Sequence, residues 1–524
     1  MTESDARLGI DVGGTNTDAV VLDRDDRLLA STKVATTADV TGGIRAAIAA
    51  VTGQLGAAGG RITHAMLGTT HSTNAVLERR DLRRVATIRI GAPATLSVRP
   101  LYGWPEDLRR VISAGETIVR GGFEFDGRPI VELDEDAVSR FAASVAGVAE
   151  AIAVVGVFSP VSEEHELRAR ERIAAELGDI PVSLSHEVGQ LGLLERENAT
   201  VLNASLTGVA RHVAQAFTGA LADHGLAPVT FFAQNDGTLM ALHYAERFPV
   251  LTIGSGPANS LRGAAFLTGL ADAIVVDVGG TSSDVGVLAA GFPRESNAGV
   301  EIGGISTNFR MPDLVTIAVG GGSIIGGSVG AVTVGPRSVG YRIREEALIF
   351  GGSTPTLTDA SVAAGAADLG ERSRTEADGP LLHEGLARAH VMLAEAVERV
   401  KTSREDRPLI AVGGGSHLIP DSVPGASRVH RPERHDVANA IGAAIAAVSG
   451  QVDRIFNLAG TSRQEVLQEA RREATERAVA AGAAPGDVEI IELEEIPLAY
   501  LAHPAIRVRV KAVGALDLTG SAAG

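Results

Sequence analysis

Two distant stretches of the chain repeat the same order of apolar and polar positions. In residues 8–22 an apolar run ends at Asp11, passes through a pair of glycines and resumes as a second apolar run. Residues 274–288 repeat this order around Asp277. Each stretch predicts a β-hairpin with a glycine-rich bend. Asp11 and Asp277 are 266 positions apart by subtraction, about half of the 524 residues, so the repeat indicates duplication of a whole domain.

Strand and helix patterns alternate along the rest of the chain, which is typical of α/β layers around a mixed sheet. Residues 151–158 are almost wholly apolar and predict a buried strand. The segment after residue 450 predicts one helix followed by strands at 488–491 and 505–510. Helical periodicity predicts helices over 40–51, 137–149, 163–177, 198–222, 389–400, 437–448 and 463–481.

The length of the chain predicts more than one hydrophobic core. We place boundaries near Gln190 and Gly450. They give an N-terminal lobe (residues 1–190), a second lobe (191–450) and a small C-terminal α/β extension (451–524). Aromatic residues make up only 3% of the chain, so small side chains must supply much of the packing.

Charge and cysteine content narrow the functional classes. The formal charge of −17 argues against nucleic acid or an anionic membrane as the main partner. The absence of cysteine excludes disulfides, thiolate nucleophiles and cysteine-ligated metals. Residues 1–7 are short and polar, without the apolar segment of a secretory signal, and no run is long enough to span a bilayer. A cytoplasmic protein is expected.

The two repeated bends have the chemistry of a nucleotide-phosphate site. We call them phosphate loop 1 (residues 11–18) and phosphate loop 2 (residues 277–284). Glycines allow close backbone approach, hydroxyls and N–H groups donate to phosphates, and Asp11 and Asp277 suit Mg²⁺ or Mn²⁺. One such bend alone would be a common turn, whereas two matching copies favour a site for ATP. The predicted phosphate contacts are Gly13, Gly14, Thr15, Asn16, Thr17, Gly279, Gly280, Thr281 and Ser282.

A third glycine cluster follows the apolar strand 409–412. We call residues 413–416 the adenosine loop, because Gly413, Gly414 and Gly415 would let an adenosine ring lie against bare backbone. A plain turn is the alternative. Asp436 could cap the small-residue helix that follows. No lysine follows the glycines as in a Walker A motif, and no Gly-x-Gly-x-x-Gly follows the first strand, so a dinucleotide fold is disfavoured.

These loops, in this order, resemble the superfamily of sugar kinases, heat-shock chaperone ATPases and actin. Within it the chain looks like a short form of the A-type subunit of the hydantoinase/oxoprolinase family. It departs from long members at residues 338–345 and in having only about seventy residues after Gly450. The matching segments are residues 9–18, 68–79, 195–200, 254–258, 277–284, 320–324, 334–336 and 356–360.

The resemblance implies a two-lobed actin-like, ribonuclease H-like α/β fold and ATP-dependent opening of a small cyclic amide such as a hydantoin, 5-oxoproline or a lactam. ATP would phosphorylate the amide oxygen, and a separate hydrolytic subunit or a homo-oligomer would be compatible partners. It also implies metal binding by Asp11 and Asp277. Further implied roles are phosphate contacts from Gly254, Ser255 and Gly256, substrate contacts from Thr69, Thr70 and Asn74, and catalytic roles for His71 and Asp313.

Several alternatives remain open at this stage. A sugar or small-acid kinase would use the same lobes, and acetone-carboxylase-like chemistry would activate a carbonyl in place of an amide. A nucleotide-gated chaperone or filament protein is the non-enzymatic alternative. The Thr69–Asn74 segment could be only a helix start, and Ser323 only a loop hydroxyl. Residues 430–436 could bind a metal, but Pro432 and its charged neighbours favour a solvated loop.

Overall fold

The computed structural model describes residues 5–36, 40–55, 61–189, 191–296, 299–458, 460–498 and 504–517. Gln190, near the predicted first boundary, lies outside these ranges. The strands are β1 (Ala6–Val12), β2 (Asn16–Leu22), β3 (Leu28–Ala35), β4 (Ile62–Thr69), β5 (Val85–Ala92), β6 (Ser113–Arg120), β7 (Ala151–Gly156), β8 (Val182–Leu184), β9 (Val229–Ala233), β10 (Leu239–Ala241), β11 (Ala273–Val278), β12 (Ser283–Ala289), β13 (Phe292–Pro293), β14 (Val300–Ile302), β15 (Ile305–Thr307), β16 (Leu314–Ile317), β17 (Ser323–Ser328), β18 (Ala331–Ser338), β19 (Arg407–Val412), β20 (Ala426–His430), β21 (Val448–Asn457), β22 (Glu489–Leu498) and β23 (Ala505–Gly514). The α-helices are α1 (Val40–Leu55), α2 (His71–Glu78), α3 (Glu106–Ile112), α4 (Glu135–Ser144), α5 (Glu164–Leu177), α6 (Ser185–Val188), α7 (Leu193–Asp223), α8 (Leu242–Arg247), α9 (Ser255–Thr268), α10 (Ile343–Glu346), α11 (Leu357–Ala363), α12 (Gly379–Val400), α13 (Ala438–Ala444) and α14 (Arg463–Ala480).

The duplicated hairpins form the centres of two different sheets. β1 and β2 pair antiparallel with Asp11 opposite Asp18, and β4 runs parallel to β1 on its other side. β11 and β12 pair in the same way with Asp277 opposite Asp284, and β19 takes the place of β4. The predicted hairpins and their repeat are therefore confirmed, down to equivalent registers in the two lobes.

The sheet of the first lobe includes strands from both ends of the chain. Its described strands follow the order β22-β23-β21-β10-β9-β4-β1-β2-β3. β21 pairs with β10 in parallel through Val448 and Leu239, and with β23 antiparallel along its whole length. The boundaries near residues 190 and 450 stay predictions, but strand pairing crosses both of them. The segment after residue 450 thus extends the first sheet.

A smaller parallel sheet, β6-β5-β7-β8, packs against the long helix α7. A fully buried ion pair joins them: both guanidinium nitrogens Nε and Nη2 of Arg89 on β5 donate to Glu197 on α7, at 2.6 Å each. The same carboxylate accepts from the backbone N–H of Leu101 at 3.0 Å. Arg89 also donates to the backbone oxygen of Val98, so the pair holds the 98–101 loop against the helix.

Helices α9 and α13 cross at the junction of the two lobes, and glycines allow them to approach each other. A Cβ added at Gly263 would lie 1.8 Å from the backbone oxygen of Ala438. One added at Gly442 would lie 1.9 Å from that of Asn259. Such distances are far inside van der Waals contact, so no larger residue fits without moving a helix. The small residues of α13 and α9 therefore allow the two helices to pack closely.

Replacing Gly442 by alanine is expected to lower the free energy of unfolding by about 1–3 kcal/mol, because overpacking forces the two helices apart. Gly219 in α7 provides the matched control, since a Cβ added there meets no atom within 4 Å. Gly219→Ala should raise the same free energy by about 0.5–1 kcal/mol. Urea denaturation followed by circular dichroism measures both. Equal effects of the two changes would contradict the packing of α9 on α13.

Several predicted helices differ from the observed ones. The predicted 389–400 helix begins ten residues earlier, at Gly379, and the predicted 40–51 helix continues to Leu55. The predicted 437–448 helix stops at Ala444, because Val448 joins the sheet as the first residue of β21. The predicted 137–149 helix ends at Ser144, and the chain turns through Gly147 at φ +73°. The 198–222 helix is longer than predicted and begins at Leu193. Asp436 does not cap α13, which starts after Val437 without a side-chain cap. Among the described helices, none is long and apolar enough to cross a membrane.

Candidate functional site

The two phosphate loops are closed by equivalent backbone hydrogen bonds and lie next to each other. The N–H of Gly13 donates to the oxygen of Asn16 at 3.0 Å, and that of Gly279 to Ser282 at 2.9 Å. A Cβ added at Gly280 would lie 3.0 Å from the Thr15 hydroxyl. The bends of the two loops therefore lie close together at the junction of the lobes.

Asp11 lies at the end of β1, only 3% exposed and within a polar cluster. Its carboxylate accepts from the amide of Asn259 on α9 at 3.3 Å and from that of Asn439 on α13 at 3.0 Å. Burial raises the pKa of Asp11 to about 7, and the charges of Asp18 and Asp277 act in the same direction. The two crossing helices thus hold a carboxylate whose negative charge is not neutralised by the protein.

Asp277 has the equivalent place in the second lobe. It accepts a hydrogen bond from the Ser260 hydroxyl at 2.5 Å, and burial raises its pKa. Ser260 follows Asn259 on α9, so one helix contacts both aspartates. Asp277 contributes to the raised pKa of Asp11, which places the two carboxylates in electrostatic contact across the cleft. Binding of a divalent cation by these two carboxylates stays a prediction.

Burial raises the pKa of Asp284, the last residue of loop 2 and part of β12, to about 6, and the charge of Asp277 adds to this shift. A carboxyl whose folded pKa is raised binds its proton more tightly in the native state. Stability is therefore lost as pH rises from about 4 to 6. We expect Asp284→Asn to gain stability relative to the parent protein through that window and to keep a constant difference above it.

The measurement is urea denaturation at intervals from pH 4 to 8 for the parent and for Asp284→Asn. Asp272→Asn is the control, because Asp272 is exposed. A stability difference for Asp284→Asn that does not change with pH would contradict the burial of this carboxyl.

The Thr69–Asn74 segment meets residues 254–256 beside loop 1. The Ser255 hydroxyl donates to the oxygen of Thr69 at 3.2 Å, and the Thr70 N–H donates to Val12 at 3.2 Å. The ring nitrogen Nδ1 of His71 lies 2.8 Å from the Thr69 hydroxyl. The two segments predicted for substrate and for phosphate are thus brought together, at the N-termini of α2 and α9.

The adenosine loop lies beside Asp277 on the second sheet. Gly413 has φ +84°, and a Cβ added there would lie 2.2 Å from a carboxylate oxygen of Asp277. The N–H of Gly415 donates to Val278 at 2.9 Å, and a Cβ at Gly414 would meet no atom within 4 Å. The loop therefore presents open backbone next to phosphate loop 2.

Its position has a counterpart in the first lobe. β4 ends beside Asp11 and leads into the Thr69–Asn74 segment, as β19 ends beside Asp277 and leads into the adenosine loop. The duplication thus gives each lobe a second loop next to its phosphate loop. Their sequences differ: hydroxyls and a histidine follow β4, whereas glycines follow β19.

The 320–323 turn forms hydrogen bonds with the backbone of loop 2. The N–H groups of Gly321 and Gly322 donate to the oxygens of Gly279 and Gly280 at 3.0 and 2.7 Å. The Ser323 hydroxyl is buried and accepts from Gly320 N–H at 2.9 Å, which is the role of a loop hydroxyl. These bonds fix the backbone of loop 2 through its carbonyl oxygens.

Asp313 is not brought to this cluster. It pairs with Arg294 at 2.7 Å. It precedes β16, whose far end, at Ile317, lies opposite Ser283 of loop 2. At about 3.4 Å per residue, Asp313 is more than 10 Å from that loop. Residues 430–436 form no metal cluster either, since the described part of the chain contains no group of three or more His, Asp or Glu side chains able to hold a metal ion.

Several polar residues of the site were not singled out from the sequence. Lys33 on β3 donates to Asp18 at 2.5 Å. Its charge partly offsets the effect of burial on the pKa of Asp277, so Lys33 brings a cation near the cleft. Asn259, Asn439 and Ser260 hold the two aspartates. In the sequence, these last three residues are recognisable only as polar positions within helices rich in small residues. That pattern does not show which groups they contact.

Comparison with known proteins finds two matching family models. The model described as the hydantoinase/oxoprolinase N-terminal region matches residues 7–177. The model described as hydantoinase/oxoprolinase matches residues 196–399. Together they include both phosphate loops and the Thr69–Asn74 segment.

Two curated relatives match at about the same identity. The chain is similar to the alpha subunit of caprolactamase from Pseudomonas jessenii, with 30% identity over 401 residues, which are 70% of this chain and 55% of that relative. It is also similar to the gamma subunit of acetophenone carboxylase from Aromatoleum aromaticum, with 30% identity over 259 residues, or 47% of this chain and 35% of that relative. The chain thus spans about half the length, or less, of these relatives.

Two solved structures share the fold. ATP-dependent caprolactamase from Pseudomonas jessenii superposes with a TM-score of 0.75 at 21% identity, covering 97% of this chain and 87% of that one. The nucleotide-free structure of acetone carboxylase gives a TM-score of 0.72 at 17% identity, covering 98% and 88%. The predicted two-lobed actin-like α/β fold is confirmed.

Proposed function

This chain belongs to the hydantoinase/oxoprolinase family, and from that premise we propose that it uses ATP to phosphorylate the amide oxygen of a small cyclic amide and so drives ring opening. The substrate would be a hydantoin, 5-oxoproline or a lactam. The observation that carries the proposal is the pair of facing phosphate loops, each with a buried or half-buried aspartate whose pKa is raised.

The donors of the site fit a triphosphate with a divalent cation. Mg²⁺ or Mn²⁺ would stabilise the unneutralised carboxylates of Asp11 and Asp277. The bound cation would also neutralise negative charge that develops on the phosphates. Magnesium in such sites is held by one or two carboxylates together with phosphates and water, so a cage of protein ligands is not required. The phosphate-loop N–H groups and hydroxyls would orient the γ-phosphoryl group, and the adenosine loop would receive the base.

The reaction follows from the weakness of an amide as an electrophile. The amide oxygen attacks the γ-phosphorus, the bond from that phosphorus to the β–γ bridging oxygen breaks, and ADP leaves. Water then adds to the activated carbon, and the C–N bond breaks as the ring nitrogen departs with a proton. The acyl phosphate that remains is hydrolysed to a carboxylate and phosphate. The protein must hold the amide oxygen in line with the γ-phosphorus.

The Thr69–Asn74 segment is the proposed place for the cyclic amide. It joins loop 1 to the 254–256 turn, and its hydroxyls and the N-terminus of α2 suit an amide carbonyl or a developing anion. His71 would donate to a substrate oxygen. Asp313 pairs with Arg294, and a catalytic role for it stays a prediction.

A partner subunit is part of the proposal. The relatives are named as subunits, and the chain spans about half the length of one of them. We propose that hydrolysis of the activated intermediate is completed by a separate subunit. Self-association stays a prediction. A cytoplasmic location is proposed from the acidic charge and the lack of cysteine.

The test is phosphate release from ATP by the full chain, alone and with the product of a neighbouring gene, in the presence of hydantoins, 5-oxoproline, lactams, ketones with bicarbonate, and sugars. Stimulation by a cyclic amide, with an amino acid as product, is expected. A phosphorylated sugar as product would establish a kinase instead. Turnover that responds to none of these compounds would favour the nucleotide-gated alternative.

A further inference from the structure

A cavity of about 460 Å³ lies on the side of the lobe junction away from the phosphate loops. Arg7 near the start of β1 lines it, as do residues 445–447 directly after α13 and residues 513–516 at the end of β23. Loop 1 follows the other end of β1, so the sheet separates the cavity from the cleft. We call it the hinge cavity, because both lobes, a crossing helix and the C-terminal strands contribute to its wall.

Arg262 of α9 supplies an unneutralised cation to this wall. Its guanidinium stacks on Phe292 at 4.0 Å from the ring centroid and donates to the oxygen of Gly291 at 2.5 Å. Its enclosed Nε has no acceptor, and among the described residues no carboxylate lies within 4.0 Å of it. Burial lowers the pKa of Arg262 to about 10. The charge of Asp236 acts on Arg262 in the opposite direction, but this carboxylate forms its ion pair with Lys511. A half-buried guanidinium with one hydrogen bond and no ion-pair partner of its own favours an anion beside it.

Two carboxylates of the same cavity are also without an ion partner. Asp487 and Glu489 line it from the start of β22, both exposed. Within the described residues, neither makes an ion pair or a side-chain hydrogen bond. The other charges of the wall are matched, since Arg7 pairs with Asp26 and Arg24 pairs with Asp5. One cation and two anions thus remain, too far apart to pair with each other.

The remaining lining is apolar. Phe292, Ile445, Ile491 and Leu516 contribute to it. A molecule with a carboxylate, a short hydrocarbon body and an ammonium group would match the unpaired charges and the surface between them. A simple dianion would leave the two carboxylates unmatched, and a simple amine would leave Arg262 unmatched.

We propose that the hinge cavity binds an amino acid as a zwitterion, with its carboxylate on Arg262 and its ammonium group on Asp487 and Glu489. Hydrolytic opening of a lactam or of 5-oxoproline yields a molecule of this class. The identification of the occupant with that product rests on the proposed function, whereas the site itself does not. Arg262 is on the helix that carries Asn259 and Ser260 to the two cleft aspartates, so an occupant contacts the element that positions them.

The test is isothermal titration calorimetry of the full chain with 6-aminohexanoate and with glutamate, and with hexanoate and hexylamine as single-charge probes. Zwitterions should bind about tenfold or more tightly than either probe. Arg262→Gln should weaken zwitterion binding about tenfold or more. The double change Asp487→Asn/Glu489→Gln should have the same effect. Because both of its positions are exposed, the double variant keeps the test valid if Arg262→Gln does not fold. Arg83→Gln is the control, since Arg83 lines a separate cavity of about 630 Å³.

The absence of zwitterion binding would overturn the site, and so would an affinity for hexanoate equal to that for the zwitterions. Loss of zwitterion binding in Arg83→Gln, or unchanged binding in the double variant, would overturn it as well. Asp11→Asn separates this proposal from the proposed function. Zwitterion binding that Asp11→Asn abolishes belongs to the cleft and overturns the hinge cavity alone. Zwitterion binding that depends on Asp487 and Glu489, in a protein that turns over ATP with no cyclic amide, supports the cavity and contradicts the proposed function.

Discussion

Replacing Asp11 by alanine is expected to lower ATP turnover about a thousandfold or more, and replacing Asp277 should have a similar effect. Each carboxylate would hold the cation that neutralises charge on the transferred phosphoryl group, and the other cannot take its place because the two belong to different lobes. The measurement is phosphate release at saturating ATP and cyclic amide.

The fold should survive the change at Asp11. Its side chain is buried, but in a polar cluster, where its raised pKa indicates that the ionised form is held at a cost. At pH 8 the alanine variant should therefore unfold at a urea concentration no lower than the parent. Asp272→Ala, at an exposed position, is the control for both measurements. Full turnover in either the Asp11 or the Asp277 variant would show that its proposed metal role is wrong.

Glu197→Gln should lower the free energy of unfolding by about 3–5 kcal/mol. The change leaves the guanidinium of Arg89, which is 0% exposed, without a counter-ion in the interior. It also weakens the acceptor for the N–H of Leu101, so the loop that this ion pair holds should open first. Urea denaturation at pH 7 gives the free energy, and hydrogen exchange of the 98–101 backbone reports the loop.

The partly exposed Glu195 on the same helix is the control. Among the described residues it makes no ion pair, and Glu195→Gln should change stability by less than about 0.5 kcal/mol. The double variant Arg89→Met/Glu197→Leu should recover most of the lost stability, because removing both charges leaves none unpaired. A single variant as stable as the parent would contradict the burial of this pair.

Local patterns in the sequence predict the hairpins well. The order of apolar run, aspartate and glycines around Asp11 and Asp277 determines strand, bend and strand within a dozen residues, and the structure has them in equivalent registers. The glycines of the α9–α13 crossing are equally local signals, since a helix rich in small residues needs a partner at close range.

Long-range pairing could not be predicted in the same way. Val448 has a small-residue, helix-compatible neighbourhood, yet it pairs with Leu239 and Gly514, which are distant in sequence, and the sheet determines its conformation. The contacts of Asn439 and Lys33 depend on how distant parts of the chain meet at the junction of the lobes, so the residue types alone gave no indication of them. The ion pair of Asp313 with Arg294 was likewise not indicated by the residue types alone.

The order of strands in the first sheet bears on how the protein is synthesised. β1 to β4 leave the ribosome before β21 to β23, which complete the same sheet. The growing chain therefore has an unfinished sheet edge at β10 until β21 has been translated. Such edges invite pairing with other chains. Chaperone association with nascent chains that stop before Val448 should accordingly be strong, and should fall once the residues through Gly514 have emerged.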